Sequence, residues 1–115
     1  ATQQTVIAGN SVTYDGSPVV VEFFAPDMNS QATTGTYSVF GLWEGATQLA
    51  QIALFQDNAA ASQFCPVTGR YRFTPSAAAH TYTVKAHTSA GTLTVQAGAA
   101  GVATRVPGFI RITKA

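Results

Sequence analysis

Apolar and polar residues alternate in short runs along most of this chain, and no run keeps the spacing of an amphipathic helix. The clearest alternation covers residues 81–87, where Tyr82, Val84 and Ala86 are expected to face inward. Turn signals such as the Asp15-Gly16 step separate the runs. The other predicted strands are 12–14, 18–25, 35–43, 48–55, 64–74, 92–97 and 109–113. This pattern predicts an all-β fold, an antiparallel β-sandwich or jelly roll.

The run from residue 18 to residue 25 is apolar on both of its faces. Val19, Val21 and Phe23 share one face, and Val20 and Phe24 flank Glu22 on the other. A strand with two apolar faces is expected to be covered on both sides, so we expect the second face to meet a loop or another subunit. Pro26 is expected to end this strand, and residues 27–34 are expected to form a polar connection.

Charged residues are few, and the two signs occupy different halves of the chain. Only 10% of the residues are charged, against about 25% in an average soluble domain. Every acid precedes every base, the acids being Asp15, Glu22, Asp27, Glu44 and Asp57 and the bases Arg70, Arg72, Lys85, Arg105, Arg111 and Lys114. We therefore expect acidic early strands to pair with basic late strands, within one subunit or across a subunit boundary. The low charge is typical of a building block in an assembly.

The same composition argues against two classes of partner. A net charge of +1 gives no case for nucleic acid, which needs a concentrated basic surface. Arg70, Arg72 and Lys85 could form a local basic patch, although charges on the outer face of a strand are the expectation. The longest apolar run, residues 19–24, is interrupted by Glu22 and is far too short to span a membrane. We expect neither nucleic acid nor a membrane as a partner.

Residue types that carry out chemistry are scarce. Cys65 is the single cysteine, so no intrachain disulfide can form, and we expect a buried, inert thiol. His80 and His87 would lie over about 20 Å apart along a strand, so they are not expected to share a metal ion within one chain. His80 is expected to be exposed, although three copies of one histidine could meet at an ion on a threefold axis. No nucleophile elbow, phosphate loop or paired-carboxylate motif occurs, and we expect no enzymatic activity and no cofactor.

Two aromatic residues are candidates for ligand binding. Trp43 directly precedes the predicted turn at residues 44–45, and Tyr37 stands earlier in the same predicted strand. An exposed aromatic ring offers an apolar surface on which a sugar can stack, although both residues could instead belong to the core or to an interface. The connections at 27–34, 58–62 and 98–105 are further candidates, because binding residues concentrate on loops over a rigid scaffold.

Several short segments resemble one family. Residues 107–112 have the form Pro-x-Phe-[Ile/Leu]-Arg-[Ile/Val], which resembles the last strand of small trimeric jelly rolls. Residues 12–16 and 21–26 resemble the opening of such a domain, 74–77 with 80–86 its central strand, and 94–98 its penultimate strand. The chain thus resembles the C-terminal head domains of bacteriophage tail fibre and minor tail proteins. It is also similar to the wider tumour-necrosis-factor-like group through residues 65–73 and 108–110. The two placements differ in whether Gly69 or Ala79 marks the equivalent strand, and we favour the phage placement.

The resemblance implies one jelly-roll domain over residues 1–115, the C-terminal piece of a longer protein, assembled as a homotrimer on the virion exterior. Tyr82, Val84 and Phe109 are then expected at or near the threefold axis. The implied function is non-enzymatic: capping a fibre, binding a bacterial cell-surface glycan, or both, with that glycan or other virion proteins as partners. A capsid decoration or head-fibre protein and a bacterial carbohydrate-binding lectin are the alternatives.

Overall fold

The computed structural model describes residues 2–31, 35–57, 63–99, 101 and 104–115. These residues form ten strands and no helix, and hence no helix that is long and apolar enough to cross a membrane. The strands are β1 (Gln4–Ala8), β2 (Val12–Thr13), β3 (Val19–Gln31), β4 (Tyr37–Glu44), β5 (Thr47–Gln56), β6 (Gln63–Phe73), β7 (Ala79–His80), β8 (Thr83–Thr88), β9 (Thr92–Gln96) and β10 (Phe109–Lys114).

All of the strand pairs are antiparallel. The first sheet has the order β1-β8-β4-β5. In the second sheet, β6 pairs with β3 along one side, while β10 and then β9 pair with successive halves of β3 along the other. β2 and β7 form a separate small pair. The predicted all-β, antiparallel fold is confirmed, and the arrangement is compatible with a β-sandwich.

The core lies between the two sheets and is built from the inward positions of their strands. Val21 and Phe23 of β3 are each 1% exposed, and Phe40 and Leu42 of β4 are completely buried. The rings of Phe23 and Phe40, one from each sheet, stack with their centroids 5.8 Å apart. Each such buried side chain contributes about 1.5–3 kcal/mol relative to an exposed one. Cys65 is half-buried against this core, and burial raises the pKa of its thiol.

β3 does not end at Pro26, and that prediction was wrong. The pairing of β3 with β6 shifts register between Ala25 and Met28, and this bulge removes proline, which has no N–H to donate, from the regular ladder. Beyond it, Met28 and Ser30 are completely buried. Ser30 looks like a loop residue in the sequence, but its hydroxyl donates to Oδ2 of the buried Asp57 at 2.6 Å. Residues 32–34 of the expected connection lie outside the described residues.

The two sheets approach each other closely at the edge formed by β5 and β6. Gly69 of β6 faces Ile52 of β5, and a Cβ added at Gly69 would lie 2.8 Å from the Ile52 carbonyl oxygen. A residue without a side chain is therefore what lets this edge close. The opposite edge, where β1 and β8 face β9 and β10, stays open.

Candidate functional site

Strand alternation divides the outer surface of the protein into two faces of different chemistry. The outer surface that β4, β5 and β8 form in the first sheet, here called the glutamine face, consists of Tyr37, Val39, Gly41, Trp43, Gln48, Gln51, Leu54, Gln56, Thr83, Lys85 and His87. The outer surface around the first half of β3 in the second sheet, here called the arginine face, consists of Val20, Glu22, Phe24, Thr68, Arg70, Arg72, Phe109, Arg111 and Thr113.

Both predicted ligand-binding aromatics lie on the glutamine face. Trp43 is half-buried and folds back over Gly41, where an added Cβ would lie 3.0 Å from the indole Nε1. The Nζ of Lys85 lies 4.8 Å from the centroid of the Trp43 ring and donates to the Gly45 carbonyl at 3.0 Å. Lys85 therefore covers part of the ring surface that a sugar would use. The buried indole N–H has no hydrogen-bond partner within the described part of the chain.

Tyr37 stands at the other end of β4 and is 45% exposed. It lies six positions before Trp43 along the strand, which corresponds to about 20 Å, so the two rings do not form one compact sugar site. Between them lie exposed Leu54 and the amide side chains of Gln51 and Gln56. Lys85 is the single lysine, arginine, aspartate or glutamate among the residues of this face. The glutamine face is thus broad, nearly uncharged and rich in amide donors and acceptors.

The arginine face is organised around one carboxylate. Glu22 has Arg111 and Arg70 as its direct neighbours on the two adjacent strands. Its Oε1 accepts a hydrogen bond from Arg111 at 2.8 Å and lies 3.5 Å from the nearest guanidinium nitrogen of Arg70. The hydrogen bond from Arg111 lowers the pKa of Glu22, whereas partial desolvation acts in the opposite direction. The net lowering keeps the carboxylate ionised. Arg72 forms no ion pair with any residue that the structure describes.

Pairs within one chain account for the division of charge seen in the sequence. Lys114 donates to Asp15 at 2.6 Å, and Arg105 donates to Asp27 at 3.1 Å. Hydrogen bonds from Lys114 and Ser17 lower the pKa of Asp15. The predicted pairing of early acids with late bases is confirmed in its within-subunit form.

The three residues expected near a threefold axis occupy different environments. Tyr82 is 2% exposed and Val84 is completely buried, both in the core of a single chain. A side chain without exposed surface cannot contact a second subunit, so these two are reassigned to the core. Phe109 is 39% exposed on the arginine face, where its ring lies 5.7 Å from that of Phe24 and 5.6 Å from the Arg111 guanidinium.

His80 is held in a polar and aromatic cluster, and the prediction that it is exposed was wrong. Its side chain is 15% exposed and stacks on the ring of Tyr82 at 5.7 Å. Its Nδ1 contacts Oε2 of Glu44 at 2.5 Å, and its Nε2 lies 3.0 Å from the Ser76 hydroxyl and 3.2 Å from the Ser76 carbonyl oxygen. Glu44 raises the pKa of His80, while burial raises the pKa of Tyr82 to about 12.

The order carboxylate, imidazole, hydroxyl matches the connectivity of a catalytic triad, but the Ser76 carbonyl oxygen beside Nε2 changes the protonation that the cluster favours. A carbonyl oxygen only accepts hydrogen bonds, so its position near Nε2 favours an imidazole that donates from both nitrogens. An imidazole in that state does not accept the proton of Ser76. The cluster instead ties the end of β4 to β7 and its loop. Sequence reasoning missed it because Glu44 is 36 residues from His80, and no local motif joins them.

The open edge between the sheets contains a cleft of about 560 Å³. Ile7, Phe23 and Val95 form part of its apolar wall, and Gln4 and Thr92 contribute polar groups. This size lies within the usual range for small-molecule sites. The cleft could not be predicted because β1, which forms one of its walls, was not recognised in the sequence.

The structure gives little support to the candidate binding loops or to a metal site in the described ranges. Residues 27–31 belong to β3, residues 32–34 and 58–62 lie outside the described residues, and 98–105 is described only in part. No group of three histidine, cysteine or acidic side chains converges in the described ranges.

Comparison of the chain with protein-family models, with curated proteins and with solved structures gives no match.

Proposed function

We propose that this domain is a non-enzymatic attachment module: the trimeric jelly-roll head of a bacteriophage tail fibre or minor tail protein, which caps the fibre and binds a bacterial cell-surface glycan. The observation that carries the proposal is the contrast between its two outer faces. One is nearly neutral and fit for contact with copies of itself, and the other carries excess charge and fits a ligand.

The glutamine face is the better candidate for the subunit interface. It presents exposed Leu54 and Tyr37 on a broad sheet surface with a single charged side chain. Burying such a surface contributes about 25 cal/mol per Å² of apolar area, from which the cost of association must be subtracted. Interfaces are enriched in aromatic residues and depleted of charge, and this surface carries Tyr37, Trp43 and a single charged side chain.

The arginine face is a poor candidate for that interface, even though Phe109 lies on it. It carries three arginines against one glutamate, so copies meeting there around an axis would bring like charges together. We therefore move the proposed trimer contact from Phe109 to the glutamine face.

A bacterial carbohydrate-binding lectin is the second candidate, favoured by Trp43 and Tyr37. In that function the glutamine face would be free in solution, and its amide groups would bind a neutral sugar beside the two rings. The two candidates therefore assign different occupants to the same surface.

The mass of the protein in solution, measured by light scattering at two concentrations, separates them. A mass of about three times 11.9 kDa that persists on dilution supports the fibre-head function. A stable monomer removes the assembly argument and favours the lectin. A capsid decoration protein would also assemble, but it would bind its capsid lattice and not cells.

A further inference from the structure

We propose that the arginine face is a binding surface for an extended anionic glycan, whose carboxylate or phosphodiester groups are held by Arg70 and Arg72 with support from Arg111. This inference deepens the proposed attachment function and rests on it, since it names the chemical class of the surface polymer.

The first argument is the charge balance of the face. The face carries three arginines and one carboxylate, which leaves two positive charges in excess. Glu22 hydrogen-bonds to Arg111, whereas its 3.5 Å contact with Arg70 is looser and Arg72 has no acidic partner in the described residues. The side chains of Arg70 and Arg111 are 68% and 59% exposed. The excess charge is therefore accessible to solvent and concentrated on β6.

The second argument is the spacing of the cations. Arg70 and Arg72 lie two residues apart on one strand, so their side chains leave the sheet about 7 Å apart. Arg111 lies two strands away, about 10 Å across the sheet. A single small anion cannot contact all three groups, whereas a polymer with repeated oxyanions can. Planar guanidinium groups match both carboxylate and phosphate in a two-point geometry.

The third argument is the aromatic pair in the adjacent row. Phe109 and Phe24 are direct cross-strand neighbours, one step along from Arg111 and Glu22. Their rings lie 5.7 Å apart, and Thr68 follows in the same row on β6. This row places an apolar surface and a hydroxyl beside the cations, a combination that suits a sugar ring carrying a charged substituent.

Other occupants fit this surface less well. A second copy of the chain would bring the same excess of positive charge, as argued above. Nucleic-acid binding typically draws on several phosphate contacts and a strongly basic surface, whereas this face carries two excess charges and the chain a net charge of +1.

The experiment measures the binding of three soluble polymers, and of single-stranded DNA for comparison, by titration calorimetry at 50 and 200 mM NaCl. Polygalacturonate carries carboxylates, poly(glycerol phosphate) carries phosphodiesters, and dextran is the neutral control. We expect one or both anionic polymers to bind, dextran not to bind, and the affinity to fall roughly ten-fold between the two salt concentrations. The anionic polymer that binds more tightly identifies the oxyanion.

The double variant Arg70→Gln/Arg72→Gln is expected to lose at least ten-fold in affinity. Its control, Lys114→Gln, removes a positive charge that lies on neither named face and is expected to bind like the natural sequence. All three side chains lie outside the core, and a thermal melt checks that each variant is folded.

Three results would overturn the inference: no binding of either anionic polymer, an equal loss in the lysine control, or tighter binding of single-stranded DNA than of both polymers. Each would leave a trimeric mass untouched. Failure of the anionic-glycan inference is therefore distinguishable from failure of the proposed assembly.

Discussion

The glutamine face and the arginine face are built on the same strand alternation, yet they differ in what the outward positions carry. Inward, both sheets present large apolar side chains such as Phe23 and Phe40 that are almost completely buried. Outward, one sheet presents amides, Leu54 and Trp43, and the other presents three arginines around Glu22. The comparison teaches that the inward positions specify the fold and leave the outward positions free to diverge. Functional information is therefore concentrated on the outer faces.

The largest expected effect comes from placing a charge on the glutamine face. Leu54→Arg puts a cation on an outward position that is 52% exposed, where the single chain tolerates it but a subunit contact would bury it unpaired. We expect the mass by light scattering to fall from about three times 11.9 kDa to the monomer value. Ala90→Arg, in the exposed turn after β8, adds the same charge elsewhere and should remain trimeric. If Leu54→Arg also remains trimeric, the interface lies on another surface.

Removing the single acid of the arginine face should sharpen the contrast between the faces. Glu22→Gln frees Arg111 and Arg70 from their shared carboxylate, and we expect the affinity for the anionic polymer to rise several-fold in calorimetric titration. The natural sequence should show the same trend in acid. Because the pKa of Glu22 is lowered in the fold, its ion pairs stabilise the protein above pH 4.5 and are lost as the pH falls through the lowered pKa. An unchanged or weaker affinity in Glu22→Gln would contradict this account of the face.

A small change should disturb the glutamine face while leaving the arginine face intact. In Gly41→Ala the new Cβ would meet the indole Nε1 of Trp43 at 3.0 Å, Nε2 of Gln48 at 2.9 Å and the backbone oxygen of Ala50 at 3.3 Å. Gln48 can move at little cost but the indole cannot, so we expect a red shift of tryptophan fluorescence and a loss of about 1 kcal/mol in the free energy of unfolding. Thr68→Ala, on the arginine face, is the control and should change that free energy by less than about 0.5 kcal/mol. Unchanged fluorescence in Gly41→Ala would mean that the indole does not rest on residue 41.

The smallest effect concerns the contact between His80 and Glu44, at the end of β4 in the first sheet. The pKa of His80 is raised above its usual 6.5 by the Glu44 hydrogen bond, so the contact stabilises the fold fully below pH 6.5 and loses this contribution as the pH rises through the raised value. Tyr82, with a pKa of about 12, does not titrate in this window. We expect the melting temperature to fall modestly across it, and this fall to be absent in Glu44→Gln. The same pH dependence in Glu44→Gln would assign it to another group.

The strands were predictable where apolar residues alternate with polar ones and only the apolar side is buried. In β8, Val84 and Ala86 alternate with polar residues, and the structure buries both. The prediction failed at β3 because Pro26 usually ends a strand, and nothing local shows that a bulge removes it from the ladder. The expectation that Val84 lies at a subunit contact also failed, although the alternation of the strand had already predicted that this side chain faces the core.

For the outer faces, the sequence could predict which residues of one strand point to the same side. It could not predict which residues of different strands become neighbours. The sequence shows that Arg70 and Arg72 point to one side of their strand, but not that β10 brings Arg111 to the same row through β3. Such rows depend on register between strands that are distant in the chain, which local pattern does not contain. The Glu44–His80 contact was missed for the same reason.

The pairing of β3 has a consequence for the nascent chain during synthesis. One side of its first half is completed by β10, and Phe24 pairs with Phe109, which the ribosome adds 85 residues later. At usual rates of translation the interval is roughly 4 to 17 s, and throughout it a strand that is apolar on both faces has at least one unpaired edge, since β6 on its other side is also added later. Glu22 and Pro26 interrupt this segment at the positions where a charge and a missing N–H best discourage pairing with another nascent chain. The carboxylate that anchors the arginine face in the finished protein would thus protect the unfinished chain from aggregation during synthesis.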